Sequence, residues 1–236
     1  MREKIIGVLG GMGPDATVGL FAQIVRRTRA SNDREHLRVI IDNNPKVPDR
    51  IAAILAGGDS CVPELVRSAR ALKRAGADFI VIPCVTVHYF HGALQKRTSL
   101  PVLHIIEETV KRIRRQHPGA RRVGLLATTG TIQAGLFQKA LKGTKLELLT
   151  PSDATQTNVV MKAIYAIKAG GATTQARTLV RSAAQELLDR GAEIVVAGCT
   201  EIPLVLKDGD LPVPVIDPIA ILADAAISRA GGKRRK

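Results

Sequence analysis

Two cysteines stand at matching places in two halves of the chain, and a thiol is a side chain that can both take and return a proton. The segment ending in Cys84 reads Gly76-Ala77-Asp78-Phe79-Ile80-Val81-Ile82-Pro83-Cys84. The segment ending in Cys199 reads Gly191-Ala192-Glu193-Ile194-Val195-Val196-Ala197-Gly198-Cys199, an ungapped offset of 115 residues (199 − 84). One thiol at the same point of two related half-structures allows both to be presented to one cleft. That arrangement suits chemistry in which one group removes a proton and the other delivers one. Each cysteine ends an apolar run and opens a candidate helix, where the positive end of the helix dipole is expected to lower the thiol pKa below roughly 8.5. Thr86 and Thr200 follow closely and can cap those helices or bind a ligand. Cys61, in Gly57-Gly58-Asp59-Ser60-Cys61, has no counterpart in the other half and reads as a spectator.

The elements that must position these thiols repeat as well. Ile6-Gly7-Val8-Leu9 resembles Val123-Gly124-Leu125-Leu126, Gly19-Leu20-Phe21 resembles Gly135-Leu136-Phe137, and Leu100-Pro101-Val102 resembles Leu211-Pro212-Val213. A period near 115 residues exceeds the roughly 20–50 of a solenoid repeat and has the size of a small domain. Candidate strands are residues 5–9, 38–42, 79–82, 102–105, 123–127, 146–149, 194–197 and 213–216, most of them continuously apolar, as parallel strands covered on both faces are. Amphipathic stretches lie between them. In 62–75 the positions Val62, Leu65, Val66, Ala69 and Leu72 form one stripe, with Pro63 in the first turn and Gly76 at the end. The expected fold is α/β, with two similar doubly wound domains, each around a central parallel sheet. Residues 1–98 are expected to form the first domain, with 213–236 returning to it, and residues 99–212 the second. In such sheets the ligand crevice lies at the carboxyl ends of the strands, where Cys84 and Cys199 fall.

The chain has 236 residues, a net charge of +14, 3% aromatic residues and three cysteines. Three cysteines in this length are no disulfide framework, and a cytoplasmic setting is expected. Arg2 and Lys4 precede the apolar Ile5–Gly13, but the run is short and glycine-rich, without a cleavage pattern, so it reads as a first strand and turn rather than a signal peptide. No stretch approaches the roughly 20 apolar residues of a membrane span. Arg112, Arg114, Arg115, Arg121 and Arg122 cluster, as do Arg26, Arg27 and Arg29. Without a stacking platform or a zinc-finger spacing, these read as a solvated surface rather than a nucleic-acid site. Gly231-Gly232-Lys233-Arg234-Arg235-Lys236 reads as a frayed tail. Gly11-Met12-Gly13-Pro14-Asp15-Ala16 fits the loose dinucleotide pattern G-x-G-x-x-A, but the acidic residue ending the second strand, Asp42, lies 29 residues beyond Gly13 (42 − 13) rather than about 20. His88 and His91 lie three apart with no third ligand nearby, and His36, His104 and His117 are scattered, so no metal site is expected. Asp217 reads as a helix cap before Pro218.

Five motifs together carry a resemblance: Gly10-Gly11-Met12-Gly13-Pro14, Asn43-Asn44-Pro45-Lys46-Val47-Pro48-Asp49-Arg50, Pro83-Cys84-Val85-Thr86-Val87-His88, Ala127-Thr128-Thr129-Gly130-Thr131, and Gly198-Cys199-Thr200-Glu201. In this order, over residues 4 to 225, they resemble the aspartate/glutamate racemase family, and the Gly-Cys-Thr-Glu ending is similar to its aspartate racemase branch. The resemblance implies an isomerase that needs neither pyridoxal phosphate nor metal, with two domains related by a pseudo-twofold axis and the active site between them, and a homodimer. By likeness Cys84 and Cys199 are the two bases that invert the α-carbon. Met12, Arg50, Val85, Thr86, Thr128, Thr131, Lys168, Thr200 and Glu201 would bind the amino acid, with Arg50 and Lys168 taking carboxylates. Each cation also has a structural reading, a salt bridge to Asp49 or another acid for Arg50 and a solvated helix face for Lys168.

One departure bears on the substrate. The family usually carries asparagine after the first cysteine, where this chain has Val85, and alanine where it has Val87. Valine offers no side-chain donor, and losing one costs roughly 1–3 kcal/mol of binding. Two further readings therefore stand beside an acidic amino-acid racemase. One is a racemase or isomerase of the same family with an altered substrate. The other is a non-catalytic protein that binds acidic metabolites or nucleic acid.

Overall fold

The computed structural model describes residues 2–170 and 173–235. The chain divides into two compact units, one running to Glu108 and resuming at Ile219, the other Thr109–Pro218. The first unit contains β1 (Ile6–Gly10), α1 (Pro14–Arg27), β2 (Val39–Asn43), α2 (Arg50–Leu55), α3 (Val62–Arg74), β3 (Phe79–Val81) and α4 (His91–Gln95). The helix α5 (Ile105–Gln116) leads out of it. The second contains β4 (Arg122–Leu126), α6 (Thr129–Gln133), α7 (Leu136–Leu141), β5 (Glu147–Leu149), α8 (Asp153–Thr155), α9 (Met161–Gly170), α10 (Thr174–Asp189), β6 (Ile194–Ala197) and β7 (Val215–Ile216). The last helix, α11 (Pro218–Ala230), brings the chain back to the first unit.

Both sheets are parallel and share one plan. The first has the order β2-β1-β3 and the second β5-β4-β6-β7, with Val102 bridging Ile80 where β7 pairs with β6. β1, β3 and β6 are buried along their whole length, which explains their unbroken apolar sequence. The halves also agree in how a helix meets the sheet. A Cβ on Gly7 would lie 2.9 Å from Ala77 and 3.4 Å from Leu72; one on Gly124 would lie 3.2 Å from Ala192 and 3.0 Å from Leu187. Those partners repeat at 115 residues (192 − 77 and 187 − 72). Glycine in the central strand therefore lets α3 and α10 approach equally closely in the two units.

Several expectations need correction. The expected strand 102–105 is a single bridge, because Ile105 already opens α5. Expected breaks at 98/99 and 212/213 give way to Glu108/Thr109 and Pro218/Ile219, since Val102 belongs to the first sheet and β7 to the second. The repeat of Leu100-Pro101-Val102 is Val213-Pro214-Val215 rather than Leu211-Pro212-Val213. Ile80 donates its N–H to the Pro101 carbonyl at 2.8 Å, and Val195, its counterpart, donates to Pro214 at 3.0 Å. The basic tail is not frayed through Arg235. Arg29 donates to the Lys233 carbonyl, Arg235 to the Arg27 carbonyl, and Thr28 bridges Arg234. Beside this strip Arg27 grips the buried Asp224 of α11 with two bonds of 2.8 Å, and Arg234 reaches the same carboxylate at 3.5 Å. Among the described residues no helix is long and apolar enough to cross a membrane.

Candidate active site

In the first unit the Gly10-Gly11 turn follows β1 and runs against the loop after β2. Gly11 has φ of +95°, and a Cβ there would come 2.3 Å from the Asn44 carbonyl carbon, so only glycine fits. Its N–H donates to Thr17 Oγ1 at 2.9 Å. The close approach that Gly11 permits is thus to the protein's own backbone, which accounts for the first glycine of the G-x-G-x-x-A match without a dinucleotide. Met12, Val47, Cys61 and Cys84 share one buried cluster. Cys84 is 6% exposed, at the carboxyl end of β3. Val85 and Thr86 are buried beside it, and Val87 is core. Arg50 begins α2, which packs on the turn Thr86–Phe90. Its guanidinium donates to the Val47 and Pro48 carbonyls at 3.2 and 3.0 Å, while Asp49 caps α2 through the Ala52 N–H. These bonds take the place of the expected alternative, a salt bridge to Asp49. The Cys61 thiol donates to the same Pro48 carbonyl at 3.3 Å, and burial pushes its pKa up.

His88 holds the Cys84 loop from below. It is fully buried; Nδ1 lies 2.8 Å from the Cys84 carbonyl and Nε2 accepts from the Ile105 N–H at 3.3 Å. Both bonds form together when Nδ1 carries the proton. Burial, then the neighbouring His104 and His91, drive its pKa down from 6.5 to about 3, so the ring is neutral. His104 is not scattered, as the sequence suggested. Its ring centroid is 4.9 Å from that of His88 and 4.6 Å from that of His91. His91 spends Nε2 on the Val102 carbonyl at 3.0 Å, and among the described residues no set of three His, Cys, Asp or Glu is placed to hold a metal ion.

In the second unit Cys199 is also 6% exposed, following β6. Its thiol donates to Glu201 Oε2 at 2.9 Å, and Thr200 Oγ1 lies 3.1 Å from the same oxygen. Lys168, on α9, faces Glu201 Oε1 at 3.8 Å, so it is not simply solvated. Burial pushes the Cys199 thiol well above its ordinary pKa, the Glu201 carboxylate adds to that, and Lys168 offsets part of it. This reverses the expected lowering by a helix dipole. The segments after the cysteines are the short 3-10 turns Thr86–Phe90 and Ile202–Leu204, which carry little dipole. The N-cap positions of these turns are Val85 and Glu201 rather than Thr86 and Thr200, and neither makes a side-chain capping bond. Thr128 caps α6 by accepting from the Thr131 N–H, and the two buried hydroxyls lie 3.0 Å apart.

One residue of these sites escaped sequence reasoning, and another was weighed there for a different role. His88 was considered only as a metal ligand paired with His91. Gln156, in the π-helical turn Gln156–Val160, donates to the Ala127 carbonyl at 3.0 Å and to Thr129 Oγ1 at 3.3 Å, with its own Oε1 buried and unpartnered. It ties the loop after β4 to the segment leading into α9, and nothing in its local sequence marks it.

Known proteins resemble this chain in sequence and in fold. The Asp/Glu/hydantoin racemase profile matches residues 9–226. The broad specificity amino-acid racemase RacX of Bacillus subtilis (strain 168) is 32% identical over 230 residues, which cover 95% of this chain and 97% of that protein. Aspartate racemase from Picrophilus torridus superposes with a TM-score of 0.89 at 29% identity, covering 99% of this chain and 96% of the other. An aspartate racemase homologue from Pyrococcus horikoshii OT3 gives 0.78 at 26%, covering 97% and 99%. The chain belongs to the Asp/Glu/hydantoin racemase family and, with it, to the amino-acid racemases among the isomerases.

Proposed function

We propose that the protein inverts the α-carbon of aspartate, glutamate or a near relative by proton transfer between Cys84 and Cys199, with no cofactor. The observation that carries this reading is the pair of thiols at repeat-equivalent strand ends, equally buried, one of them bonded to a carboxylate. One thiolate takes the α-proton, the electron pair left on carbon is spread into the substrate carboxylate, and the opposite thiol delivers a proton to the other face. Cys199, whose pKa is raised, rests as the thiol and is ready to donate. For the reverse direction its proton passes to Glu201 across the 2.9 Å bond, leaving the thiolate. Lys168 is one-third exposed, so it can accept a substrate carboxylate while facing Glu201. Arg50 serves the other carboxylate, with Met12 and Val85 lining the site and Thr86, Thr128, Thr131 and Thr200 supplying hydroxyls. The test is deuterium incorporation at the α-carbon from D2O across acidic, apolar and basic amino acids of both configurations. Exchange abolished by Cys84→Ser and by Cys199→Ser is expected, and exchange that survives both would sink the mechanism.

A second reading, a broader or altered substrate range, is favoured by Val85. At 2% exposure it presents backbone and apolar surface where the family has an amide, and the Bacillus relative is itself named for broad specificity. Apolar amino acids exchanging as fast as aspartate in the same panel would select it. A non-catalytic binding protein would show no exchange at all. We place the protein in the cytoplasm as a homodimer. Val18, Phe21 and Val25, spaced along one stripe of α1 and 67%, 40% and 38% exposed, offer a face for the second copy. Sedimentation of Phe21→Lys as a monomer would support that interface, and an unchanged dimer would remove it.

A further inference from the structure

The outer face of α3 carries Arg67, Arg70 and Arg74, three and four residues apart and so on one stripe. With Arg97, just after α4, they line a cleft of about 520 Å³ whose remaining wall is Asp59, Val62, Pro63 and Val66. Glu64 takes Arg67 at 3.1 Å. Among the described residues Arg70, Arg74 and Arg97 have no acidic partner. Converging like charges of this kind destabilise the folded chain unless an anion joins them.

The internal repeat shows that the fold does not require them. The counterpart of α3 is α10, in which Leu65, Ala69 and Leu72 become Val180, Ala184 and Leu187, all buried. At the same offset of 115 (187 − 72) the arginine positions 67, 70 and 74 become Ser182, Gln185 and Asp189. The packing face is kept and the arginine face is peculiar to the first unit.

We propose that this cleft binds a small phosphorylated molecule carrying at least two adjacent phosphate groups. Guanidinium forks grip phosphate oxygens in pairs. The aliphatic wall of Val62, Pro63 and Val66 covers a carbon skeleton, and Asp59 accepts from a hydroxyl. The volume is that of a small-molecule pocket rather than of a single ion. The cleft shares no residue with the candidate catalytic set, so it stands whether or not Cys84 and Cys199 racemise anything.

The test is isothermal titration of the intact chain with inorganic pyrophosphate and with ADP, against sulfate at equal ionic strength. Saturable binding of pyrophosphate or ADP at one site per chain is expected. ADP binding more tightly identifies a nucleotide, whereas equal affinity identifies the phosphates alone as the determinant. Arg70→Ala and Arg74→Ala each weaken binding by about tenfold or more, and Arg70→Lys recovers part of the loss. Deuterium exchange by these variants stays at the wild-type rate, which separates this site from the racemase reading. Absent saturation, sulfate matching pyrophosphate, or affinity unchanged in the Arg70→Ala/Arg74→Ala variant would each overturn the proposal. A single-stranded RNA oligonucleotide bound more tightly than ADP would do so as well, by making the face a nucleic-acid surface.

Discussion

The neutral imidazole beneath the Cys84 loop makes the protein acid-sensitive in a way that can be isolated. His88 is bonded on both sides to backbone, and the imidazoles packed around it are those of His91 on α4 and His104 just before α5. Its pKa falls from 6.5 in the unfolded chain to about 3 in the fold. The unfolded state therefore takes up a proton below pH 6.5 that the folded state refuses. Stability contributed by this group is fully present above the unfolded value and is lost as pH falls toward the folded one. Two pH units below 6.5, at roughly 1.4 kcal/mol per unit, give a loss of about 2.5 kcal/mol between pH 7 and about pH 4.5. That is a large share of a typical domain's stability of about 5–15 kcal/mol.

Other groups also titrate in acid, so the measurement is a difference. His88→Asn keeps an amide N–H where Nδ1 meets the Cys84 carbonyl and does not ionise. Urea unfolding of both proteins is followed from pH 7.5 to 4.5, and the steeper loss of stability is expected in the wild type. The variant starts less stable, because the Ile105 N–H loses its acceptor, but its stability falls less steeply below pH 6.5. Parallel curves for the two proteins would refute the reasoning, since they would mean that the ring is protonated equally in both states.

Three further outcomes follow from the geometry. Glu201→Gln removes the charge next to Cys199 and leaves an amide that cannot take a proton, so the thiol pKa falls, as ultraviolet thiolate absorbance would report, while kcat/KM drops by about 10²-fold because the proton has nowhere to go. Asp224→Ala removes the two bonds to Arg27 and the contact with Arg234; a loss of about 3 kcal/mol is expected in urea unfolding. Val85→Asn restores a donor beside Cys84 and is expected to raise kcat/KM for aspartate over alanine by about tenfold, read from the exchange panel.

How far the chain could be read without coordinates depended on the range of each interaction. Strands were legible because burial on both faces writes itself into four or five consecutive residues, as in Ile194–Ala197, found with its expected limits. Residues 102–105 misled because an apolar run that ends at a helix start is indistinguishable from a strand by composition. The proline pair at 212 and 214 misled for a different reason: both fit the repeat, and only the hydrogen bond from Val195 selects Pro214. The candidate site was legible where it rests on a motif and illegible where it rests on a contact. Lys168 and Glu201 are 33 residues apart (201 − 168), and the third imidazole of the His88 cluster comes from a separate segment. Neither pairing leaves a trace in local sequence.

The duplication also says that the two thiols, although equivalent in fold, are unequal in chemistry. Position 201 corresponds to position 86 at the offset of 115 (201 − 86), so Cys199 has a carboxylate where Cys84 has the hydroxyl of Thr86. In the proposed reaction Cys199 passes its proton to Glu201 before acting as a base, and burial together with that carboxylate makes its thiolate costly to form. The proposed mechanism therefore places the higher of its two barriers at Cys199. Because kcat/KM for both enantiomers passes the same barrier, the rates cannot reveal this, but isotopes can. The enantiomer whose α-proton faces Cys199 should show a full primary deuterium effect on kcat/KM, and the one facing Cys84 a smaller effect. Substrates of each configuration carrying deuterium at the α-carbon provide the comparison. Equal effects for the two would mean that the carboxylate beside Cys199 leaves the symmetry of the reaction untouched.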